Sequence, residues 1–122
     1  MIIRGREIKF LRTVLATCKI ADLCPDGQIS KIGALFGGTD SKVARNEAEF
    51  IRALNEGYEM SLHFDDPSHE VKVISIDEIM TLTNDDFGAL FAEAVVAFQG
   101  GEERTVEVED KKSKKKTEET SD

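Results

Sequence analysis

The sequence predicts a small, mainly α domain. Apolar residues recur at helical spacing through most of the chain, helix-capping residues precede each run, and the core must be built from aliphatic side chains. The third point follows from composition: 122 residues hold 7 Phe, 1 Tyr and no Trp. One domain of this size buries roughly 65% of its unfolded surface, so its stability is modest. The helical domain is expected over residues 1–100, with room for a short β-hairpin, and residues 101–122 are expected to form a disordered charged tail.

Taken in order, Ile2-Ile3 and Ile8-Lys9-Phe10 could pair as a short hairpin across Arg4-Gly5-Arg6. Alternatively a helix begins near Glu7, because Ile8, Leu11, Val14, Leu15 and Cys18 fall on one helical face. Pro25-Asp26-Gly27 ends that unit. A short helix is expected over Gln28–Phe36 with Ile29, Ile32, Leu35 and Phe36 inward, stopped by Gly37-Gly38. Thr39 or Asp40 then caps a helix to about Glu56, since a short side-chain oxygen accepts from the first free N–H groups. Val43, Glu47, Phe50, Ile51 and Leu54 mark its run, and Gly57 stands where a helix commonly stops.

The period changes after Gly57. Met60, Leu62 and Phe64 alternate with Ser61 and His63, and Val71, Val73 and Ile74 follow the polar run Asp65-Asp66-Pro67-Ser68. This predicts a second hairpin. Ser75-Ile76-Asp77-Glu78 has the form of a capping box, opening a short helix through Ile79 and Leu82. Thr83-Asn84-Asp85-Asp86 starts another, with acids where the helix dipole favours them. That helix, over about 85–98, buries Phe87, Leu90, Phe91, Ala94, Val95 and Phe98. Ala89, Ala92 and Val96 lie opposite, so the helix is apolar almost all round: either a subunit or partner covers its second face, or Ala is there simply as a good helix former and Val96 is a lone exposed apolar residue. Gly100-Gly101 is expected to end it.

Composition excludes some functions. Net charge is −8, and residues 1–100 alone carry 16 acidic and 10 basic side chains. A nucleic-acid binder needs a basic face against phosphates, so nucleic acid is not an expected partner. No run nears the roughly 20 apolar residues of a membrane span, and the first residues lack a signal-peptide core. The expected compartment is therefore a reducing cytoplasm, where Cys18 and Cys24 stay free thiols. Cys18, on the apolar stripe, reads as a small buried hydrophobe.

The search for chemistry gives little. His63-Phe64-Asp65-Asp66-Pro67-Ser68-His69-Glu70 holds imidazoles and carboxylates of metal-ligand type. The same residues suit a solvated turn, and exchange of both histidines for Ala is expected to leave the fold intact. Gly37-Gly38-Thr39-Asp40-Ser41-Lys42 fails the phosphate-loop spacing and reads as a helix break and cap. No nucleophile with a base and an orienting partner can be assembled, so no catalytic residue, metal or cofactor is expected. Lys111-Lys112-Ser113-Lys114-Lys115-Lys116 is a basic block, but flanking acids make it a solvated tail.

The order of these elements resembles that of the tail assembly chaperones of long-tailed bacteriophages, especially those of Gram-positive hosts. The resemblance rests on Leu54-Asn55-Glu56-Gly57-Tyr58, Ile74-Ser75-Ile76-Asp77-Glu78-Ile79-Met80, the apolar run Phe87-Gly88-Ala89-Leu90-Phe91-Ala92-Glu93-Ala94 and the Lys-rich tail. It covers roughly residues 1–100, and the Met60–Ile74 section has no clear counterpart. It implies a helical, non-enzymatic protein of the host bacterial cytoplasm. Such a protein binds the tape measure protein before the tail tube protein polymerises around it, self-associates, and is absent from the finished tail. The family commonly makes a longer form by ribosomal frameshifting, and Lys114, Lys115 and Lys116 fit that habit because adjacent Lys codons can be A-rich. Two other classes compete. An acidic inhibitor or DNA mimic acting on a host defence enzyme would need acids aligned along one face. A metal-dependent enzyme would need His63 and His69 as ligands.

Overall fold

The computed structural model describes residues 1–110, with side chains up to residue 100. The protein is mainly helical. Strand β1 (Ile2–Ile3) pairs antiparallel with β2 (Arg6–Glu7), Ile2 facing Glu7 and Ile3 facing Arg6. The hairpin expected near the start is thus present, in a tighter register. Arg4 and Gly5 form a two-residue turn with φ of 49° and 82°, both in the left-handed region that such turns require. The Arg4 guanidinium reaches Thr81 Oγ1 at 3.0 Å and Glu78 at 3.4 Å, tying the turn to a distant part of the chain.

Helix α1 (Val14–Leu23) begins well after Glu7, where Thr13 Oγ1 accepts from the Ala16 N–H. Residues 8–13 instead cross the central helix outside regular secondary structure, with the Leu11 N–H donating to the Leu54 carbonyl at 3.1 Å. This late start rotates the buried face. Ala16, Ile20 and Cys24 point inward, whereas Val14 and Leu15 are exposed. The expected burial of Cys18 is therefore incorrect. Cys18 is exposed and Cys24 is the buried thiol, both free. The Cys24 thiol lies against the Ile20 carbonyl at 3.3 Å, and burial pushes its pKa up.

A 3-10 turn at Pro25–Gly27 leads into a longer 3-10 stretch, Ile29–Phe36. Ile29, Ile32 and Leu35 recur every third residue, the period of a 3-10 helix, and all three pack on the core. Helix α2 (Asp40–Asp65) follows, capped by Thr39. It is the centre of the fold, with Ala48, Phe50, Ile51, Ala53, Leu54, Asn55, Gly57 and Glu59 buried. Phe36, Phe50, Phe91 and Phe98 form an aromatic cluster with centroids 5.4–6.0 Å apart, tilted or edge-on as ring quadrupoles prefer.

The hairpin expected over Met60–Ile74 is absent. Helix α2 continues through Gly57 to Asp65, and after a turn over residues 67–69 a strap without regular secondary structure returns along it to Ser75. Gly57 is not a helix stop. A Cβ there would lie 2.6 Å from the Leu11 carbonyl oxygen and 2.7 Å from Thr13 Oγ1, so the glycine marks a close crossing. Helix α3 (Ile76–Met80) is capped by Ser75, whose Oγ accepts from the Glu78 N–H at 3.0 Å. Helix α4 (Asn84–Asp110) starts with Thr83 Oγ1 accepting from Asp86 N–H and runs past Gly100-Gly101, the pair expected to end it. Segment 111–122, with Lys114, Lys115 and Lys116, lies outside the described residues. Among the described residues no helix is long and apolar enough to cross a membrane.

Candidate partner-binding cleft

On α4, Leu90 and Ala94 are fully buried, and Phe87, Phe91, Val95 and Phe98 pack against the core. The opposite face, Ala89, Ala92 and Val96, is exposed, Val96 at 67%. Ala92 and Val96 line an open, mainly apolar cleft of about 500 Å3, while Ala89 lies beyond its lining. Its other walls come from the crossing segment, through Ile8, Lys9 and Phe10, and from Tyr58 on α2. The hairpin places that segment, and the Gly57 crossing lets it lie close enough to α2 for Phe10 and Tyr58 to share a wall.

The rim carries a small charge network. The Met1 ammonium donates to Glu7 at 2.8 Å and to Glu93 at 3.1 Å, joining the hairpin to α4. Burial alone would lower this amine's pKa, but the two carboxylate bonds outweigh it and raise it. The same bond lowers the Glu7 pKa. Lys9 also stands at the rim, and its charge helps to lower the Glu7 pKa. Nothing in the sequence signals the Phe10–Tyr58 wall, because its residues meet only through the chain crossing at Gly57.

Arg12 packs against α4 at Phe98. Its guanidinium stacks 3.9 Å over the Phe98 ring and donates to the Phe98 carbonyl at 3.1 Å. A desolvated cation over an aromatic face contributes roughly 0.5–2 kcal/mol.

The two histidines serve the strap. His69 Nε2 donates to Glu59 Oε1 at 2.8 Å, and the Lys72 N–H donates to the same oxygen at 3.1 Å. His63 Nδ1 donates to the His69 carbonyl at 2.8 Å. Glu59 is only 6% exposed, so it needs these donors. Asp66 accepts from Ser68 instead, through both the hydroxyl and the backbone N–H, which lowers its pKa. Among the described residues no group of three or more His, Cys, Asp or Glu is arranged to hold a metal. The expectation that both histidines are dispensable for folding therefore changes. His69→Ala should lower the melting temperature by roughly 5–10 °C, since it leaves Glu59 with a single donor. An unchanged melting curve would show that the strap is held without this pair.

Compared with known protein families, with curated proteins and with solved structures, the chain matches none.

Proposed function

We propose that the protein is a non-enzymatic binding protein, a tail assembly chaperone of a long-tailed bacteriophage. In this reading it holds the tape measure protein in the host bacterial cytoplasm during tail morphogenesis and leaves before the tail is complete. The observation that supports it is the exposed apolar face of α4, where Ala92 and Val96 open into the cleft beside Phe10 and Tyr58. Such a surface suits an apolar stripe on a partner helix, the helix-in-groove mode of recognition. The side chains of greatest chemical potential, Glu59, His63 and His69, are occupied with holding the strap.

Two substitutions on α4 test the reading. Val96→Glu should leave the circular dichroism spectrum unchanged, because the side chain is exposed in the free protein. It should weaken capture of the tape measure protein by about tenfold or more, because a carboxylate would be desolvated only in the complex. Phe91→Glu should unfold the protein. It removes an aromatic from the core, a loss of about 3–5 kcal/mol before the buried charge is counted, against a total stability of roughly 5–15 kcal/mol. Undiminished capture by a folded Val96→Glu protein would assign the contact elsewhere.

A further inference from the structure

We propose that the strap over α2 is a docking edge for an extended, basic segment of another protein, which pairs with the peptide groups of Val71 and Val73. The strap's hydrogen bonds alternate. The Lys72 N–H donates to Glu59 Oε1 at 3.1 Å and the Ile74 N–H to Asn55 Oδ1 at 2.8 Å, while the Lys72 carbonyl accepts from Arg6 Nη1 at 2.6 Å. The N–H and C=O groups of Val71 and Val73 make no hydrogen bond among the described residues. Asn55 and Glu59 stand one turn apart on α2, about 6 Å along its axis. Two residues of extended chain span about 6.6 Å. Side chains one helical turn apart therefore engage alternate N–H groups of an extended backbone.

In such a backbone the peptide groups of successive residues point to opposite edges. With Lys72 and Ile74 turned to α2, Val71 and Val73 present donors and acceptors away from it. Their spacing is that of a strand, and its complement is another strand, the β-augmentation mode of recognition. Both residues are half-buried valines, the β-branched type that pleated pairing favours. Antiparallel pairing lets each exchange two hydrogen bonds with one residue of the partner.

Charge selects the occupant. Exposed acids flank the edge on both sides, Asp65 and Glu70 before it and Asp77 after it. Asp65 and Asp77 make no hydrogen bond or ion pair among the described residues. Glu70 meets only Lys72 there, at 3.9 Å. The neighbouring bases are already engaged: Arg4 with Glu78 and Thr81, Arg6 with the Lys72 carbonyl, Lys72 with Glu70. His69 faces Glu59, and Asp66 accepts from Ser68. Lys or Arg side chains on the incoming strand meet the free carboxylates. A second copy of the strap would instead set like charges opposite one another, which opposes pairing of two edges. Neither valine and none of these acids lines the α4 cleft, so the edge is independent of the chaperone reading.

Nuclear magnetic resonance on the full chain tests the edge, with a capped octapeptide of alternating Thr and Lys as probe. The amide signals of Val71 and Val73 should shift most, and at saturating peptide their exchange with solvent should slow about tenfold. Affinity should fall with added salt. Replacing the peptide's Lys by Glu should raise the dissociation constant about tenfold or more. N-methylation of its backbone amides should do the same, since the strand can then no longer donate. Val73→Pro removes one outward N–H that has no protein partner, so it should weaken binding about threefold with circular dichroism unchanged. If that variant misfolds, the N-methylated peptide still tests the edge on the parent chain. Equal binding of the Glu peptide or of the N-methylated peptide would overturn the proposal. So would shifts centred on Phe10 and Tyr58, no shifts at millimolar peptide, or shifts at Val71 and Val73 that depend on protein concentration alone.

Discussion

Gly57→Ala should lower the melting temperature by roughly 10 °C, although Ala is the better helix former. In an exposed helix this exchange stabilises by about 1 kcal/mol. Here the added methyl would meet the Leu11 carbonyl oxygen at 2.6 Å, Thr13 Oγ1 at 2.7 Å and the Ala16 Cβ at 3.2 Å. The first of these is backbone and cannot rotate away. Residues 11–13 would have to lift from α2, stretching the Leu11–Leu54 hydrogen bond and disturbing the Thr13 cap of α1. Overpacking of this kind costs about 1–3 kcal/mol, and each kcal/mol moves the transition of so small a domain by about 4–8 °C. The same movement would pull Phe10 away from Tyr58, so the cleft should bind less well in the protein that remains folded. Differential scanning calorimetry decides the matter. An unchanged or higher melting temperature would mean that residues 11–13 do not lie against α2.

The same glycine shows where sequence reading succeeds and where it stops. Local signals were legible because they act within one turn. Thr39, Ser75 and Thr83 each accept from a backbone N–H three residues on, as their positions before apolar runs indicate. The α4 stripe from Phe87 to Phe98 was legible for the same reason, since one helix face carries six apolar side chains. Gly57 was misread because a helix-ending glycine and a helix-crossing glycine are identical in sequence. The difference lies in Leu11, which is 46 residues away. Once Gly57 is taken as a stop, Met60, Leu62 and Phe64 read as a strand, although Glu59 and His63 stand one helical turn apart and both serve the strap. On α1, Val14, Leu15 and Cys18 continue the spacing of Ile8 and Leu11, so periodicity favoured a face that the structure leaves exposed. The candidate site divides along the same line. Its α4 half, Ala92 and Val96, follows from one helix's pattern, whereas Phe10, Lys9 and Tyr58 join it only through the tertiary crossing.

Asn55→Leu should be among the most destabilising exchanges that preserve side-chain size, with a loss of roughly 2–4 kcal/mol. Asn55 sits on the buried side of α2 and is 1% exposed. Its amide nitrogen donates to the Lys9 carbonyl at 2.9 Å, and its oxygen accepts from the Ile74 N–H at 2.8 Å. One side chain thus joins the two segments that flank α2, neither of which is satisfied by regular secondary structure at these points. Leucine fills similar volume but orphans a buried N–H and a carbonyl together, and an unsatisfied buried group costs about 1–3 kcal/mol. Asn55→Asp separates the two bonds. The introduced carboxylate can still accept from Ile74, but it faces the Lys9 carbonyl without a proton to donate. Its ionisation is therefore opposed by burial and by that carbonyl, so its deficit relative to the parent should shrink as pH falls and the carboxyl takes up a proton. Urea melts of the parent, Asn55→Leu and Asn55→Asp at neutral and mildly acidic pH would measure both effects. Equal stability of Asn55→Leu and the parent would show that the strap and the hairpin segment are held by apolar packing alone, with the two hydrogen bonds contributing nothing.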